Sequence, residues 1–486
     1  MSRRDGLVLA AITLAGVAVR IATLDVQSFD HDEAITAGRV ILPDLFDTLD
    51  LVVESERSPP LFYLVSWAWA TPFGTGEVGL RSLSALIGAL TIPAAWLAGR
   101  ELVSARAGLV TAALVAFNPL LVWYSQEARS YAFLVLFATL ALAFFARSAR
   151  RPTPSSLGLW AASSALALLS HYFAIFLIAP QVVWLLASAR APRRTTALAV
   201  AGIAAVGLAL LPVALAQEGE NRRNAFADRP VVERAGEVAL DFVASEELAP
   251  FAGTAGVDAV QGAAGAAGAV ALAAAVALVF RGGSSRERRG AALAGTVAAS
   301  ATLVPLGLAL IGLDFANPRN LVAGVVPVLA LVGVGFACER HRRIGIAASV
   351  ALCVTFLGVF VAVNRSDQMQ RPDWRAVAEA IGPATDSATV IVTNKNGGDP
   401  LRYYLGAESF EGDYRDGVRV SEIDLVSTIP AVHPPPGFEL VEEVRLQGLF
   451  FLRHLRASRP RLVRPSDLAD DAVLQERSEA LIRSNR

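Results

Sequence analysis

The chain has 486 residues, of which 54% are hydrophobic and only 18% charged, with a mean hydropathy of +0.48. That composition excludes one soluble domain with a polar surface and implies an integral membrane protein. The formal net charge of -1 argues neither for nor against nucleic acid, and no nucleic-acid partner is expected.

The positive charges sit in short runs between apolar blocks, and Lys395 is the only lysine among them, a bias we attribute to genome composition. Cys338 and Cys353 lie in or beside apolar runs, where a cysteine acts as a small packing residue, so neither a disulfide nor a metal pair is expected. The opening stretch "MSRRDGLVLAAITLAGVAVRIATL" has a basic start and an apolar run but no convincing small-residue cleavage site before the acids that follow. It reads as a retained first helix.

Apolar runs of about 17 to 25 residues are long enough to cross a hydrocarbon core of about 30 Å as helices. About eleven occur, some short, near 7–24, 80–99, 107–123, 131–147, 156–170, 173–189, 195–216, 258–280, 291–312, 320–337 and 344–363. The arginine-rich joins "SRRD", "GRELVSAR", "RSARR", "RAPRR", "RGGSSRERR" and "ERHRR" fall on every second connection, which places them in the cytoplasm, with the N-terminus inside and the C-terminal part outside. The segment 59–73, "PPLFYLVSWAWATPF", is short and flanked by prolines, and counting it as a span would break this alternation. It is predicted to lie in the outer interface, with Trp67 and Trp69 at headgroup level.

The expected organisation is a membrane module over 1–363, with a first outer loop at 25–79 and a second at 217–257. A small α/β domain follows over 364–457, then a charged tail over 458–486. Within the α/β domain "PDWRAVAEAIG" and "LRYYLG" read as helices, "ATVIVTN" as a buried strand and "GFELVEEVRLQGLFFLRHLR" as a strand or hairpin.

On this topology the polar chemistry gathers on the outer face. After the first span comes "SFDHDEAITAGRV", with Asp30, His31, Asp32 and Glu33 adjacent. One acid there serves to cap a helix and meet its dipole, but three carboxylates and a histidine exceed what capping needs. An acid pair at a membrane surface suits a general base that takes a proton from a hydroxyl, its neighbour orienting it or holding a divalent cation. Glu127 and Arg129, in "YSQEARSY", lie at a span end on the same face, where a carboxylate and a guanidinium pair with a metal or hydroxyl and with a phosphate. The plainer reading makes them a helix-start acid and a snorkelling cation.

Arg20 near the outer end of the first span and Arg319 in "DFANPRN" divide evenly between phosphate ligand and interface anchor. His171, at a tight turn in "LLSHYFAIF", and Glu56, in "ERSPP", are secondary candidates together with Asp30 and His31. Glu77 and Arg81 read as a structural i, i+4 pair.

The order of "DEA" after span one, "SPPLFYL", "EVGLRSLSALIGALTIPAAWLAGR" and "FNPLLVWYSQEARSYAFLVLFATL" resembles the family 39 type of GT-C membrane glycosyltransferases. Protein O-mannosyltransferases and the aminoarabinose transferase of lipid A belong to that group. "PRNLVAGVVPVLAL" and "PDWRAVAEAI" resemble the C-terminal half of bacterial and archaeal members, so the resemblance spans most of 7–450 and is densest over 28–135.

It implies a GT-C fold and transfer of a sugar, a mannose-like hexose or a pentose, from a polyprenyl-phosphate sugar to a glycan, lipid or protein acceptor on the outer face. It also implies that Asp32 and Glu33 form the catalytic acid pair, with Asp32 as base, and that Glu127 is the second acidic motif. Arg129, Arg319 and Arg20 would then hold the donor phosphate. Where relatives carry a tyrosine after the later arginine, this sequence has Asn320. A cation such as Mg or Mn on Asp32 and Glu127 is compatible with the pattern. The rival reading is a transporter or flippase of lipid-linked sugars, although such proteins place polar groups near the bilayer midplane, where these spans are nearly free of charge.

Overall fold

The structure, a computed structural model, describes residues 2–188, 192–217, 229–244, 255–313, 317–383, 388–394, 396–410, 416–428, 434–446, 450–464, 468 and 478–483. The chain forms two compact units, one of Met1–Leu24, Leu42–Gly74 and Val78–Asn364, the other of Asp25–Ile41, Thr75–Glu77 and Arg365–Arg486. The stretch anticipated as one outer loop, 25–79, is thus shared between them. Asp25–Ile41 carries the acidic cluster and belongs to the unit with the C-terminal residues.

The first unit is helical, and each apolar run read from the sequence is largely helix among its described residues. Among the described residues seven helices are long and apolar enough to cross a membrane: Glu77–Leu102, Tyr131–Arg150, Arg193–Gln217, Gly256–Gly282, Ser285–Ala309, Arg319–Phe336 and Glu339–Arg365. The chain is a multi-pass helical membrane protein. The other four runs are helices that are shorter or less apolar, Arg3–Ile21, Ala105–Phe117, Pro154–Ser170 and Ala174–Ala187.

Two runs that looked continuous are interrupted. Pro119 has no N–H to give and forces Asn118 to an extended ψ of 124°, so 107–123 breaks into Ala105–Phe117 and Pro119–Tyr124. The Asn118 side chain caps the second piece by accepting from Leu121 N–H at 3.1 Å and donates to the Phe242 carbonyl at 2.7 Å. The run at 320–337 starts as a 3-10 turn over Pro318–Gly324 before the helix Val325–Phe336. The segment 59–73 holds the helix Leu61–Phe73, preceded by Leu45–Ser55, whose Asp44 cap accepts from Phe46 and Asp47 N–H groups.

Small residues let the central helices approach closely, the packing expected where lipid offers no hydrophobic drive between helices. A Cβ at Gly108 would stand 2.4 Å from the Trp96 carbonyl oxygen, and one at Gly99 would stand 2.7 Å from that of Ala107. Gly108→Val is therefore expected to push Glu77–Leu102 and Ala105–Phe117 apart and to cost about 1–3 kcal/mol. Thermal unfolding in detergent reads this as a clear fall in midpoint, and a wild-type midpoint would show that the hairpin has slack.

The C-terminal part of the second unit is a five-stranded sheet of β1 (Thr389–Asn394), β2 (Val418–Ser427), β3 (Glu439–Leu446), β4 (Phe450–Val463) and β5 (Ser478–Arg483) in the order β3-β4-β2-β1-β5. β1 and β2 are parallel, joined through the helix Gly398–Leu405, since a parallel pair needs a crossover. The other pairs are antiparallel. β1 is buried on both faces, which explains the unbroken apolar run "VIV". Val390, Val392, Ile423, Leu425 and Leu455 fill one side. Ile391, Val426 and Leu452 fill the other beneath Trp374, Val377 and Leu401 of the two helices.

The helices Trp374–Ile381 and Gly398–Leu405, the strand at 389 and the hairpin β3–β4 match the sequence expectation. β2 was not anticipated, and the charged tail is not unstructured throughout. β4 runs to Val463, and Ser478–Arg483 pairs with β1, setting Ile482 opposite Val390. Leu481 and Ile482 are buried although the local sequence is polar, so tertiary pairing overrides composition here.

Candidate functional site

In the membrane unit the polar side chains converge on the turn at 125–130, between Pro119–Tyr124 and Tyr131–Arg150. Arg20 holds this turn from behind. It is almost wholly buried, and each of its three guanidinium nitrogens donates within the protein. Nε donates to Ser125 Oγ at 3.1 Å, Nη1 to the carbonyls of Ala116 at 2.8 Å and Gly16 at 3.1 Å, and Nη2 to that of Val115 at 3.2 Å. Gln126 adds a second tie, its amide donating to the Arg20 carbonyl at 3.0 Å and to Thr23 Oγ1 at 2.7 Å. The desolvated charge of Arg20 is thus met by carbonyl dipoles, and its local packing is that of a brace between the first helix and the turn.

The turn itself is tight, Arg129 N–H donating to the Glu127 carbonyl at 2.8 Å. Glu127 and Arg129 are both buried, at 8% and 9% exposure, so Arg129 is not a solvated surface cation, and Glu127 lies before the helix Tyr131–Arg150 rather than in its first turn. Arg129 Nη1 lies 2.8 Å from Glu56 Oε2, and Tyr63 OH donates to the same oxygen at 2.6 Å. Glu56 Oε1 is buried with no hydrogen-bond partner among the described residues. Tyr63 is a member of this group that the sequence did not single out, although its place seven residues after Glu56 on an apolar helix is visible afterwards.

His171 caps the helix Pro154–Ser170 and is buried against Tyr131, ring centroids 5.9 Å apart, with Tyr131 on Tyr124 at 4.6 Å. Burial, followed by the positive charges of Arg129 and Arg319, pushes His171 down to about 4. Phe173 N–H donates to its Nδ1 at 3.2 Å, so the neutral ring carries its proton on Nε2. His171 thus feels the charges of Arg129, which pairs with Glu56, and of Arg319. Arg319 is carried there by the 3-10 turn whose Asn317 side chain accepts from the Arg319 N–H at 3.2 Å.

Because His171 is neutral in the folded protein down to about pH 4, the unfolded chain holds a proton on this ring between about pH 4 and 6.5 that the folded protein does not. Stability therefore rises with pH across that window and falls as pH drops through it. His171→Gln, whose amide oxygen can still accept from Phe173, should flatten that slope. Thermal midpoints at pH 4.5 and 7 for both proteins test this, and equal slopes would refute it.

The acidic cluster lies in the second unit. Asp30 precedes the short helix His31–Ile35, which continues as a π-helix over Thr36–Val40. Glu33 is completely buried, its Oε2 accepting from Asp30 N–H at 3.3 Å and from Arg371 Nη1 at 2.6 Å. Asp30, His31 and Asp32 are half-buried. Asp32 sits in the first turn of the helix, its carbonyl accepting from Thr36 Oγ1 at 3.0 Å. His31 Nδ1 is 3.8 Å from Asp399 Oδ2, and Arg39 reaches the other oxygen of that carboxylate at 3.3 Å. Glu77, read as the i, i+4 partner of Arg81, instead pairs with Arg375 at 3.3 Å and with the hydroxyl of Tyr404, while Arg81 donates to the Leu24 carbonyl at 3.2 Å.

Among the described residues no three His, Cys, Asp or Glu side chains form a group that could hold a metal ion. Arg222 and Arg223 of the second outer loop lie outside the described residues, whereas Arg229 pairs with Glu233 at 3.1 Å and with Glu237.

Residues 57–215 match the family model of dolichyl-phosphate-mannose-protein mannosyltransferase. No curated protein matches the chain in sequence. Among solved structures the chain is similar to ArnT from Cupriavidus metallidurans in the apo state, with a TM-score of 0.60 at 14% identity over 93% of this chain and 98% of that one. It is also similar to the same ArnT bound to undecaprenyl phosphate, with a TM-score of 0.57 at 16% identity over the same shares. The chain thus shares the fold of ArnT over nearly the whole length of both chains, and its residues 57–215 carry the match to the mannosyltransferase family model.

Proposed function

We propose that the protein transfers a sugar, a mannose-like hexose or a pentose, from a polyprenyl-phosphate sugar to a hydroxyl of a glycan, lipid or protein acceptor on the extracytoplasmic face of the membrane. The donor keeps its lipid tail in the bilayer and presents the sugar at the headgroup plane. Asp32 takes the proton of the acceptor hydroxyl as its oxygen attacks the anomeric carbon. The bond from that carbon to the phosphate oxygen breaks, its electron pair leaving with the polyprenyl phosphate. A single displacement inverts the anomeric centre and forms no glycosyl-enzyme intermediate.

Arg129 and Arg319 stabilise the charge that develops on the departing phosphate, with Glu56 and Tyr63 fixing the guanidinium of Arg129 in place. The observation that supports this reading best is the buried group of Glu56, Arg129 and His171, with the half-buried Arg319 acting on the same histidine, in a membrane unit whose residues 57–215 match the family model. A desolvated arginine with a second, half-buried one near the same ring suits a phosphate diester better than a structural role alone would require. The neutral His171, carrying its proton on Nε2, adds a donor without adding charge.

The test is to supply purified protein in liposomes with a panel of polyprenyl-phosphate sugars and acceptor-containing membrane extract, following release of free polyprenyl phosphate. Release with one donor, and incorporation of its sugar into the extract with inverted configuration, is the expected result. Movement of intact donor between leaflets with no release would indicate a flippase and overturn the proposal.

A further inference from the structure

The geometry points to Glu33 as a positioning residue: with Arg371 it forms a buried clamp that fixes residues 27–33 and so sets the placement of Asp32. This rests on the proposal above that Asp32 is the base, and it reassigns Glu33 from the catalytic pair implied by the family resemblance.

The carboxylate of Glu33 has no exposed surface, and Arg371 is 95% buried, being 5% exposed. Their 2.6 Å contact is a charge-assisted hydrogen bond between groups 338 residues apart in the chain. A carboxylate so enclosed, accepting from a guanidinium and from the Asp30 N–H, is closed to an acceptor hydroxyl. What it controls is the backbone immediately before the helix His31–Ile35.

Three further bonds fasten the same stretch to the same short segment. Arg371 N–H donates to Gln27 Oε1 at 2.9 Å, Trp374 N–H donates to Ser28 Oγ at 3.0 Å, and that hydroxyl donates to the Pro372 carbonyl at 3.1 Å. Phe29 N–H donates to Tyr404 OH at 2.7 Å, and its ring meets Tyr403 edge-on at 5.2 Å. Residues 27, 28, 29, 30 and 33 are thus each tied down, and Asp32 lies inside the span they define. The helical turn His31–Ile35 and the π-turn that continues it to Val40 are together too short to hold their own position, so the ties supply the rigidity. Within the second unit, the segment at 371–374 and Tyr404 thus fix the stretch that carries the proposed base.

The clamp is tested on the full-length protein in liposomes with the donor found above, comparing Glu33→Gln, Arg371→Gln, Arg371→Lys, the double variant Glu33→Gln with Arg371→Gln, and Asp32→Asn. Glu33→Gln keeps the shape and can still accept from Arg371, so it should retain far more turnover than Asp32→Asn. Arg371→Gln should lower kcat about 10- to 100-fold, the scale of a small misplacement of a reacting group, while KM for the donor changes less than about threefold. Arg371→Lys should recover part of the loss. The double variant should match the worse single variant, as two ends of one contact do.

Hydrogen exchange of the peptide covering 27–36 should rise in Arg371→Gln with the membrane helices unchanged, a readout that needs no activity. Unaltered exchange, or losses that multiply in the double variant, would overturn the clamp. Glu33→Gln as dead as Asp32→Asn, with exchange unchanged, would return Glu33 to the catalytic pair. Full activity of Asp32→Asn would instead overturn the assignment of the base and leave the exchange result to judge the clamp.

Discussion

Asp32→Asn is expected to lower polyprenyl phosphate release by about 10²- to 10⁴-fold, the contribution typical of a positioned general base. Asparagine matches aspartate in size and keeps an accepting oxygen, but it cannot take the proton of the attacking hydroxyl. The folded protein should barely notice the change. Asp32 occupies the first turn of a short helix and is half-buried. The carboxylate there favours the helix start by only about 0.3–1 kcal/mol. A thermal midpoint close to wild type, together with retained binding of the donor, would separate loss of chemistry from loss of fold. Wild-type turnover by Asp32→Asn would move the base elsewhere.

The second large effect is expected at Arg129. Replacing it with Met leaves the carboxylate of Glu56 buried, with the Tyr63 hydroxyl as its remaining donor among the contacts described for Oε2. Removing one member of a buried ion pair costs about 3–5 kcal/mol, because the other charge stays desolvated without its counterion. The same change removes a guanidinium from the departing phosphate, which should lower turnover about 10²- to 10³-fold, as loss of one preorganised donor does elsewhere.

The two effects are separable. Glu56→Gln combined with Arg129→Gln should regain much of the stability, since no buried charge is then left alone, while turnover stays low. Unfolding in detergent and the release assay, run on the same preparations, read both quantities. An Arg129→Met protein as stable as wild type would show that the pair contributes nothing to the fold.

Much of the architecture was open to reading from the residues in order. A span is a local property, about twenty apolar residues bounded by arginines, so each run from 7–24 to 344–363 could be located from hydropathy without knowing its neighbours. The breaks within those runs were less visible, although Pro119 and the Pro318 turn carry the signal for them. In the C-terminal unit the strands with clear alternation or an unbroken apolar core were legible. β5 was not, because "SEALIR" becomes a strand only through its pairing with β1.

The site divides in the same way. Asp30, Asp32, Glu33, Glu127 and Arg129 drew notice because charges are rare in this chain and these stand together at the ends of apolar runs. Arg371 gave no such signal, being one arginine among many beyond the last span, and Tyr63 was hidden in an aromatic helix. By itself, then, the sequence determined the membrane class, the helical runs, the α/β character of the C-terminal unit and, through the order of its motifs, the resemblance to GT-C glycosyltransferases. Only the tertiary structure decided that Glu33 is sealed against Arg371, that Arg20 is spent on the carbonyls behind the 125–130 turn, and that Arg129 faces Glu56. The reason is physical: hydropathy acts within a window of one helix, whereas the partner of a buried charge depends on which distant segments the packed chain brings into contact, and that partner decides whether the charge supports or reacts.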